Sequence, residues 1–275
     1  MDHRTGPHGR RRLLDLTPSP DRACHDAGMT GIAIHTADGV TSLTLDRAEK
    51  RNAITSAMYT ELSNALDAAA ADDEVRVVLI RGARSVFTAG NDLADFLHDP
   101  PTGMDSPVMR FLTTIASFPL PLVAAVCGPA VGVGTTMLLH CDLVYASDDA
   151  ILLLPFVDLG LVPEAASSLL LPRQLGYHRA AEALLLGEPI APAAALAAGL
   201  VNAVLPGEEV DDAALAVARR LAAKPASALR ESKRLLKSGE QDAVRARIAE
   251  EAAVFVRMLR EPAARDAFAA FLGGR

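Results

Sequence analysis

The chain has 275 residues and a net charge of -7, half of its residues are hydrophobic, and it contains no tryptophan. An acidic chain with 4% aromatic residues offers neither a basic face nor stacking platforms, which argues against a nucleic-acid partner. It has no apolar run of the roughly 20 residues needed to span a membrane, so no membrane partner is expected. Its widely spaced cysteines predict neither a disulfide framework nor a cysteine-based zinc site and suit a reducing, cytoplasmic setting; they are Cys24, Cys127 and Cys141.

Residues 1–29 are predicted to form a disordered extension. They carry clustered arginines and the run TPSP but show no lasting hydrophobic periodicity. Clustered arginines are also typical of transit peptides, although four aspartates in the same segment count against that interpretation. A natural start at Met29 would explain the composition equally well, and ordered structure is expected to begin near Gly31.

Strands alternate with helices up to about residue 205, which predicts an α/β core over residues 30–205. Strand signals then fade, and alanine-rich segments predict a helical part over residues 206–275, with its clearest helices at 211–223 and 241–259. The elements predicted in the core are a β-hairpin at 32–34 and 42–45, a helix at 56–71, a strand at 75–81, a helix at 109–117, a strand at 122–126, a helix at 135–140 and a strand at 143–146.

Two turns rich in small residues each follow a predicted buried strand, FTAGNDL at 87–93 and GPAVGVGTT at 128–136. Small residues let a ligand approach the backbone, and a helix opening at Thr135 would add unpaired N–H groups. Two such turns facing each other can give two N–H donors to one oxygen, as an oxyanion hole requires. Taken singly, each turn is equally consistent with tight helix–sheet packing. The second turn lacks a P-loop lysine and GxGxxG spacing, and the chain has no GxSxG motif.

Four segments in order resemble the enoyl-CoA hydratase/isomerase (crotonase) superfamily: LTLDRAEKRNAI at 43–54, FTAGNDL, CGPAVGVGTTMLLHCDLVYAS at 127–147 and ALAAGLVNAVLP at 195–206. Arg47-Ala48 departs from the usual Arg-Pro of this family. The resemblance covers nearly all of residues 32–275. It implies the ClpP/crotonase-like α/β fold, a ββα superhelix core with a C-terminal helical part that forms homotrimers or hexamers. It also implies a coenzyme A thioester as substrate, with no permanently bound cofactor and no metal.

Carried over position by position, the family's oxyanion-hole donors fall on the backbone N–H groups of Asn91 and Val133. Asp92 is expected to bond loop N–H groups rather than to react. We expect Lys233 to be an exposed helix lysine, with a contact to a coenzyme A phosphate as the alternative. The resemblance assigns substrate or coenzyme A contacts to residues of both turns and of two flanking segments: Lys50, Arg51, Ala53, Ala89, Gly90, Asp92, Leu93, Gly132, Pro155 and Phe156.

The residues at the catalytic positions favour isomerisation over hydration. Hydratases of the family carry two glutamates where this chain has Thr136 and Phe156, so activation of water should be poor. Residues 153–172 resemble the monofunctional Δ3,Δ2-enoyl-CoA isomerases of fatty-acid oxidation, whose single glutamate falls on Glu164. That carboxyl would take a proton from C2 and return it at C4. Apolar neighbours should raise its pKa toward the range useful for proton transfer; they are Val157, Leu159, Leu161, Val162 and Pro163.

Several alternatives stay open at this point. Glu164 could instead cap a helix beginning at Ala165, and Asp158 is a competing base. The protein could be an enoyl-CoA hydratase, or an acyl-CoA-binding relative that has lost its chemistry, and other reactions also occur on this fold. His140 is expected to pack or to face solvent. Chain-length preference would depend on the pocket behind Phe111 and Leu112.

Overall fold

The computed structural model describes residues 30–83 and 86–273, and the predicted extension at 1–29 lies outside them. The strands are β1 (Ile32–Ala37), β2 (Val40–Leu45), β3 (Val77–Gly82), β4 (Leu122–Val126), β5 (Pro129–Val131), β6 (Leu143–Ser147), β7 (Ile151–Leu153) and β8 (Ala203–Leu205). The α-helices are α1 (Ser56–Ala71), α2 (Leu93–His98), α3 (Pro107–Ala116), α4 (Val133–Thr136), α5 (Ser167–Leu175), α6 (Tyr177–Leu185), α7 (Pro192–Ala197), α8 (Gly207–Ala222), α9 (Ala226–Ser238), α10 (Gln241–Met258) and α11 (Pro262–Gly273). Short 3-10 helices span Ala48–Lys50 and Met137–His140.

Six strands form the main sheet in the order β1-β2-β3-β4-β6-β8. The first pair is an antiparallel hairpin whose two-residue turn, Asp38-Gly39, has positive φ at both positions, as this turn requires. The other neighbours in the sheet pair parallel. Continuous apolar runs are expected of parallel strands covered on both faces, and β4 is buried along its whole length.

Alternate residues of the central strands enter two separate hydrophobic clusters. In β3, Val78 and Ile80 join the main core with α1 and α3, whereas Val77 and Leu79 pack against α8. The face toward α8 accepts small helix residues such as Ala214 and Ala218. Helices therefore cover both faces of the sheet, and the ends of its strands are left for the connecting turns.

A second sheet of two short parallel strands, β5 and β7, was not predicted from the sequence. Each strand has three residues, too few to show a hydrophobic period. The predicted hairpin, the helix at 56–71 and the strand at 122–126 are confirmed. The helix expected at 135–140 begins earlier, at Val133, and tightens into a 3-10 helix at Met137.

Helices α8 to α11 follow the last strand, which ends at Leu205. The proposed division at residue 205 and the trimerisation role of residues 206–275 stay predictions. Among the described helices, none is both long and apolar enough to cross a membrane.

Lys233 anchors α9 to the core, so the expectation of an exposed lysine was wrong. Its side chain is 7% exposed, and its Nζ lies 2.7 Å from Asp142 Oδ2. The same ammonium donates to the carbonyl oxygen of Leu120 at 2.6 Å. Burial lowers the pKa of Lys233 to about 8, although the charge of Asp142 opposes the shift. The ammonium group of this lysine is bonded within the core and is not available to contact a ligand.

Replacing Lys233 by methionine should lower the free energy of unfolding by roughly 2 to 4 kcal/mol, because it leaves Asp142 and a buried carbonyl without their main partner. Lys237, 3.8 Å from Asp142, limits the loss. Denaturant unfolding followed by circular dichroism measures the effect. Lys224→Met, at an exposed position, is the control. Equal stabilities of the two variants would contradict the anchoring role.

Candidate active site

Asn52 joins the segment at 43–54 to the first glycine turn, a role the sequence did not reveal. It is fully buried and has a φ of 55°. Its amide Nδ2 donates to the carbonyl oxygen of Val86 at 2.7 Å, and its Oδ1 accepts the N–H of Arg47 at 2.9 Å. The hydroxyl of Thr88 donates back to the Asn52 carbonyl at 2.6 Å. These bonds hold the two segments as one unit.

The backbone N–H of Asn91 in the first turn is left out of the hydrogen bonds that hold this turn among the described residues. The backbone N–H of Ile54 donates to the carbonyl of Gly90 at 2.8 Å, and the backbone N–H of Asp92 donates to the carbonyl of Ile54 at 2.9 Å. This pairing skips the N–H of Asn91, which has no acceptor within residues 30–83 and 86–273. Gly90 has a φ of 89°, and a Cβ there would lie 2.8 Å from the carbonyl oxygen of Val131. Glycine is therefore required where the two turns meet.

The second turn lies beside the first and also contains an N–H group without an acceptor among the described residues, that of Val133. The backbone N–H of Thr88 donates to the carbonyl of Pro129 at 3.0 Å, and the carbonyl of Thr88 accepts the N–H of Val131 at 3.0 Å. Gly132, with a φ of 55°, donates to Leu153 at 2.8 Å and directs the chain into α4. The N–H of Val133 has no acceptor in the described part of the chain. The N–H groups of Asn91 and Val133 are thus unpaired donors on adjacent turns, and two N–H donors that face one oxygen are what an oxyanion hole requires.

Asp92 stabilises the first turn through hydrogen bonds and an ion pair and is not placed as a reactive group. As predicted, its Oδ1 accepts the N–H groups of Ala94 and Asp95 at the start of α2. Its Oδ2 lies 2.6 Å from Arg47 Nη1. Burial raises the pKa of Asp92, but Arg47 and the two N–H groups outweigh it, so the net pKa lies below its ordinary value. The residue is an ionised cap of α2.

Glu164 lies in the segment that leads into α5. It is 2% exposed, and neither carboxylate oxygen has a hydrogen-bond partner among the described residues. The helix begins at Ser167 rather than at Ala165, and the Glu164 side chain bonds none of its N–H groups. The capping role considered for Glu164 is therefore wrong. A buried carboxyl without partners is costly, which points to a role other than stability.

Burial dominates the electrostatics at Glu164. It raises the pKa of this carboxyl to about 8, and the negative charge of Glu251 adds to the effect. Tyr59 of α1 is close enough that the charge of Glu164 raises the pKa of its hydroxyl, after burial as the larger cause. The same hydroxyl donates to the Oδ1 of Asn91. Tyr59 was not predicted as a site residue, and its two neighbours show that the buried carboxyl lies near the first turn.

The neighbours of Glu164 differ in part from expectation. Leu161 is buried as expected, but Val157 is 47% exposed and is not part of a dry wall. Asp158 is exposed and lies against the backbone of Gly187. Because it is exposed, Asp158 is poorly placed to act as a base in a dry site.

His140 is buried, and its Nε2 lies 2.8 Å from the carbonyl oxygen of Ala165.

The other predicted contact residues occupy three places around the turns. Lys50 and Arg51 are exposed, and the carbonyl of Arg51 accepts the N–H of Ala89 at 2.9 Å. Ala53 and Leu93 are half-buried on either side of the first turn. Pro155 is half-buried and Phe156 is buried. Within the described residues, no group of three His, Cys, Asp or Glu side chains is placed to hold a metal ion.

The side chains expected to limit the acyl pocket belong to α3. Phe111 and Leu112 are fully buried, and the ring of Phe111 lies 5.4 Å from the ring of Tyr59. Since Tyr59 also contacts Asn91, this aromatic pair lies directly behind the first turn.

Comparison with known proteins gives one consistent family. The sequence model of the family described as enoyl-CoA hydratase/isomerase matches residues 35–275. Enoyl-CoA delta isomerase 2 of Homo sapiens is 34% identical over 243 residues, which are 86% of this chain but only 61% of that protein. The 2,3-dehydroadipyl-CoA hydratase of Escherichia coli (strain K12) is 32% identical over 248 residues, 90% of this chain and 97% of the hydratase.

Solved structures also match. The structure of Pseudomonas aeruginosa OdaA is 49% identical in sequence, has a TM-score of 0.86 and covers 88% of this chain and 98% of its own. The chain spans about three fifths of the human isomerase, whereas it spans nearly all of the hydratase and of OdaA.

Proposed function

Because the chain belongs to the enoyl-CoA hydratase/isomerase (crotonase) family, as its sequence motifs predict, we propose that it isomerises a 3-enoyl-CoA to the conjugated 2-enoyl-CoA in fatty-acid oxidation. In this reaction the N–H groups of Asn91 and Val133 hold the thioester oxygen, and Glu164 is the single acid and base. The reaction requires no bound metal or cofactor.

One observation carries the choice of reaction. Glu164 is buried without a hydrogen-bond partner in the described structure, and its pKa is raised to about 8. A carboxyl with such a pKa accepts and returns a proton near neutral pH. The two positions at which hydratases carry glutamates hold Thr136 and Phe156, which supply no carboxylate for the activation of water. A one-base reaction fits this arrangement better than hydration.

Each step uses a group already described. The Glu164 carboxylate removes a proton from C2, and the electron pair of that bond forms a dienolate whose oxygen carries the negative charge. The two N–H groups stabilise this oxygen as the charge develops. The electrons then return from the oxygen, C2 and C3 become double-bonded, and C4 takes the proton from the Glu164 carboxyl. The proton balance is zero, so no water is consumed.

The remaining parts of the proposal concern binding and assembly. Lys50 and Arg51, exposed beside the first turn, and the half-buried Ala53 and Ala89 are proposed to contact coenzyme A. A homotrimer or hexamer is supported by large apolar side chains exposed on α9, those of Leu235 and Leu236. The free cysteines among the described residues, Cys127 and Cys141, suit a cytoplasmic location.

The test is a direct comparison of two substrates. Purified protein with a medium-chain 3-enoyl-CoA should produce the ultraviolet absorbance of a conjugated 2-enoyl thioester. Hydration of crotonyl-CoA, measured in parallel, should be at least about 100-fold slower than this isomerisation. The reason is that general acid–base catalysis by the two missing carboxylates would contribute on that order to the rate of hydration. Rapid hydration without isomerisation would establish a hydratase. Binding of acyl-CoA without either reaction would leave a non-catalytic relative.

A further inference from the structure

Two consecutive residues after Glu164 have left-handed backbone conformations. Ala165 has a φ of 60° and Ala166 a φ of 56°. This region is unfavourable for residues with a Cβ, and alanine is otherwise the strongest helix former. Without an external hold, the pair would be expected to join the first turn of α5. The structure must therefore supply groups that prevent it.

Two buried side chains hold the peptide group between these alanines from opposite sides. Its carbonyl oxygen lies 2.8 Å from His140 Nε2, and its N–H donates to Glu251 Oε2 at 2.6 Å. Burial lowers the pKa of His140 to about 4, so the ring is neutral near pH 7 and Nε2–H is the donor. The two side chains come from different parts of the chain, the 3-10 helix after α4 and the middle of α10.

Glu251 also occupies the helix terminus that Glu164 would otherwise cap. Its Oε1 accepts the N–H of Ser168 at 3.0 Å and the hydroxyl of the same serine. Arg247, one turn earlier on α10, donates to that hydroxyl oxygen at 3.1 Å. Glu251 is 6% exposed and both its oxygens are bonded, whereas both oxygens of Glu164 are unpaired within the described chain. Glu251 is therefore the cap of α5, and Glu164 is left as the unbonded carboxylate.

We propose that Glu251 is a positioning residue for the reaction: it caps α5 in place of Glu164 and holds the left-handed Ala165–Ala166 peptide, so that the Glu164 carboxylate stays unbonded. This inference rests on the proposed function of Glu164. The negative charge of Glu251 also helps to raise the pKa of Glu164. The other titratable or charged groups around this site are Tyr59 from α1, Arg247 from α10, and, beyond His140, Lys233 and Lys237 from α9.

The test uses Glu251→Gln in the full-length chain. The amide keeps the shape of the carboxylate but cannot accept both N–H groups, so the left-handed segment should relax. We expect kcat for the 3-enoyl-CoA to fall by at least ten-fold while KM changes less than two-fold. The apparent pKa in the pH dependence of kcat/KM should also move below that of the parent, since Glu164 gains N–H donors and loses a neighbouring negative charge. Asp242→Asn, on the exposed side of α10, is the matched control.

A second variant tests the backbone strain itself. Glycine adopts a left-handed conformation without steric cost, so Ala166→Gly added to Glu251→Gln should recover part of kcat, several-fold. Because a glycine there can also stabilise the folded chain, thermal unfolding of each variant is measured beside kcat, and the recovery of kcat should exceed what the change in stability explains. Failure of Ala166→Gly to recover any turnover, with the pH profile of Glu251→Gln equal to that of the parent, would overturn the proposal.

A crystal structure of Glu251→Gln separates this inference from the proposed function. The expected result is a Glu164 carboxylate bonded to the first N–H groups of a lengthened α5. If Ala165 and Ala166 stay left-handed and Glu164 stays unbonded, Glu251 does not position it. Should the parent protein not isomerise 3-enoyl-CoA, the proposed function fails, while this structural comparison still decides whether Glu251 holds the segment.

Discussion

Replacing Glu164 by glutamine should lower kcat for a 3-enoyl-CoA by about 10³-fold, the loss expected when the group that transfers the proton is removed. The amide has the shape of the protonated carboxyl, and the carboxyl has no hydrogen-bond partner to lose within the described residues. The folded structure and acyl-CoA binding should therefore be unchanged. Steady-state kinetics and calorimetric binding of a saturated acyl-CoA measure the two effects. Turnover equal to that of the parent would exclude Glu164 as the base.

The same variant should be more stable than the parent, and increasingly so at high pH. Because burial raises the pKa of Glu164 from 4.5 to about 8, the folded protein keeps a proton that the unfolded chain has released between these pH values. The stability of the parent therefore falls as pH rises through this window, and above about pH 8 the full cost remains. That cost is on the order of 5 kcal/mol. Glutamine does not titrate and avoids it.

Thermal unfolding of both proteins at pH 5 and pH 9 measures this difference. The advantage of Glu164→Gln should be small at pH 5 and large at pH 9. Glu188→Gln, at an exposed position, controls for the loss of one negative charge and should show no such pH dependence. An equal advantage at both pH values would mean that Glu164 is not held in an environment that disfavours its charge. If Glu164 is the base, its replacement by glutamine should therefore lower turnover and raise stability in the same protein.

The sequence predicted the parts of this site that are encoded locally. Each glycine turn follows its strand within a few residues, so hydrophobic periodicity was sufficient to place the turns. The role predicted for Glu164 came instead from the resemblance of its Pro-Phe segment to the isomerases. The start of α5 was placed too early, at Ala165, because the local sequence favours helix there. Glu251, 85 residues away from Ala166, overrides that preference through a bond that no local pattern contains. Tertiary contacts decided the conformation of the residues after the base.

Other contacts were hidden for the same reason. Tyr59 lies 32 residues before Asn91 and appears in the sequence only as one more residue of an amphipathic helix. Asn52 bonds a carbonyl 34 residues later. Lys233 looked like a surface lysine because its partner Asp142 comes from a strand end far along the chain. Polar residues inside helices can face either a buried partner or solvent, and only the packing of the helices determines which.

Replacing Gly90 by alanine should lower kcat/KM by about 10²-fold or more, comparable to the loss of one oxyanion-hole donor. The added methyl would lie 2.8 Å from the carbonyl oxygen of Val131, and the φ of 89° is unfavourable for alanine. The turns would have to separate, and the N–H groups of Asn91 and Val133 would move away from the single oxygen that we propose they bind. Because Glu164 belongs to another segment, the pH at which the rate changes should stay that of the parent.

Gly239→Ala is the matched control for this substitution, since its φ is -70° and an added methyl there meets no heavy atom within 4 Å. It should leave kcat/KM unchanged. Comparing the Kd of a saturated acyl-CoA with kcat/KM separates ground-state binding from stabilisation of the enolate. If Gly90→Ala weakens both equally, the turn only binds substrate. If kcat/KM falls much further than affinity, the two N–H groups act on the charge that develops during the reaction, because only interactions stronger in the transition state raise the rate.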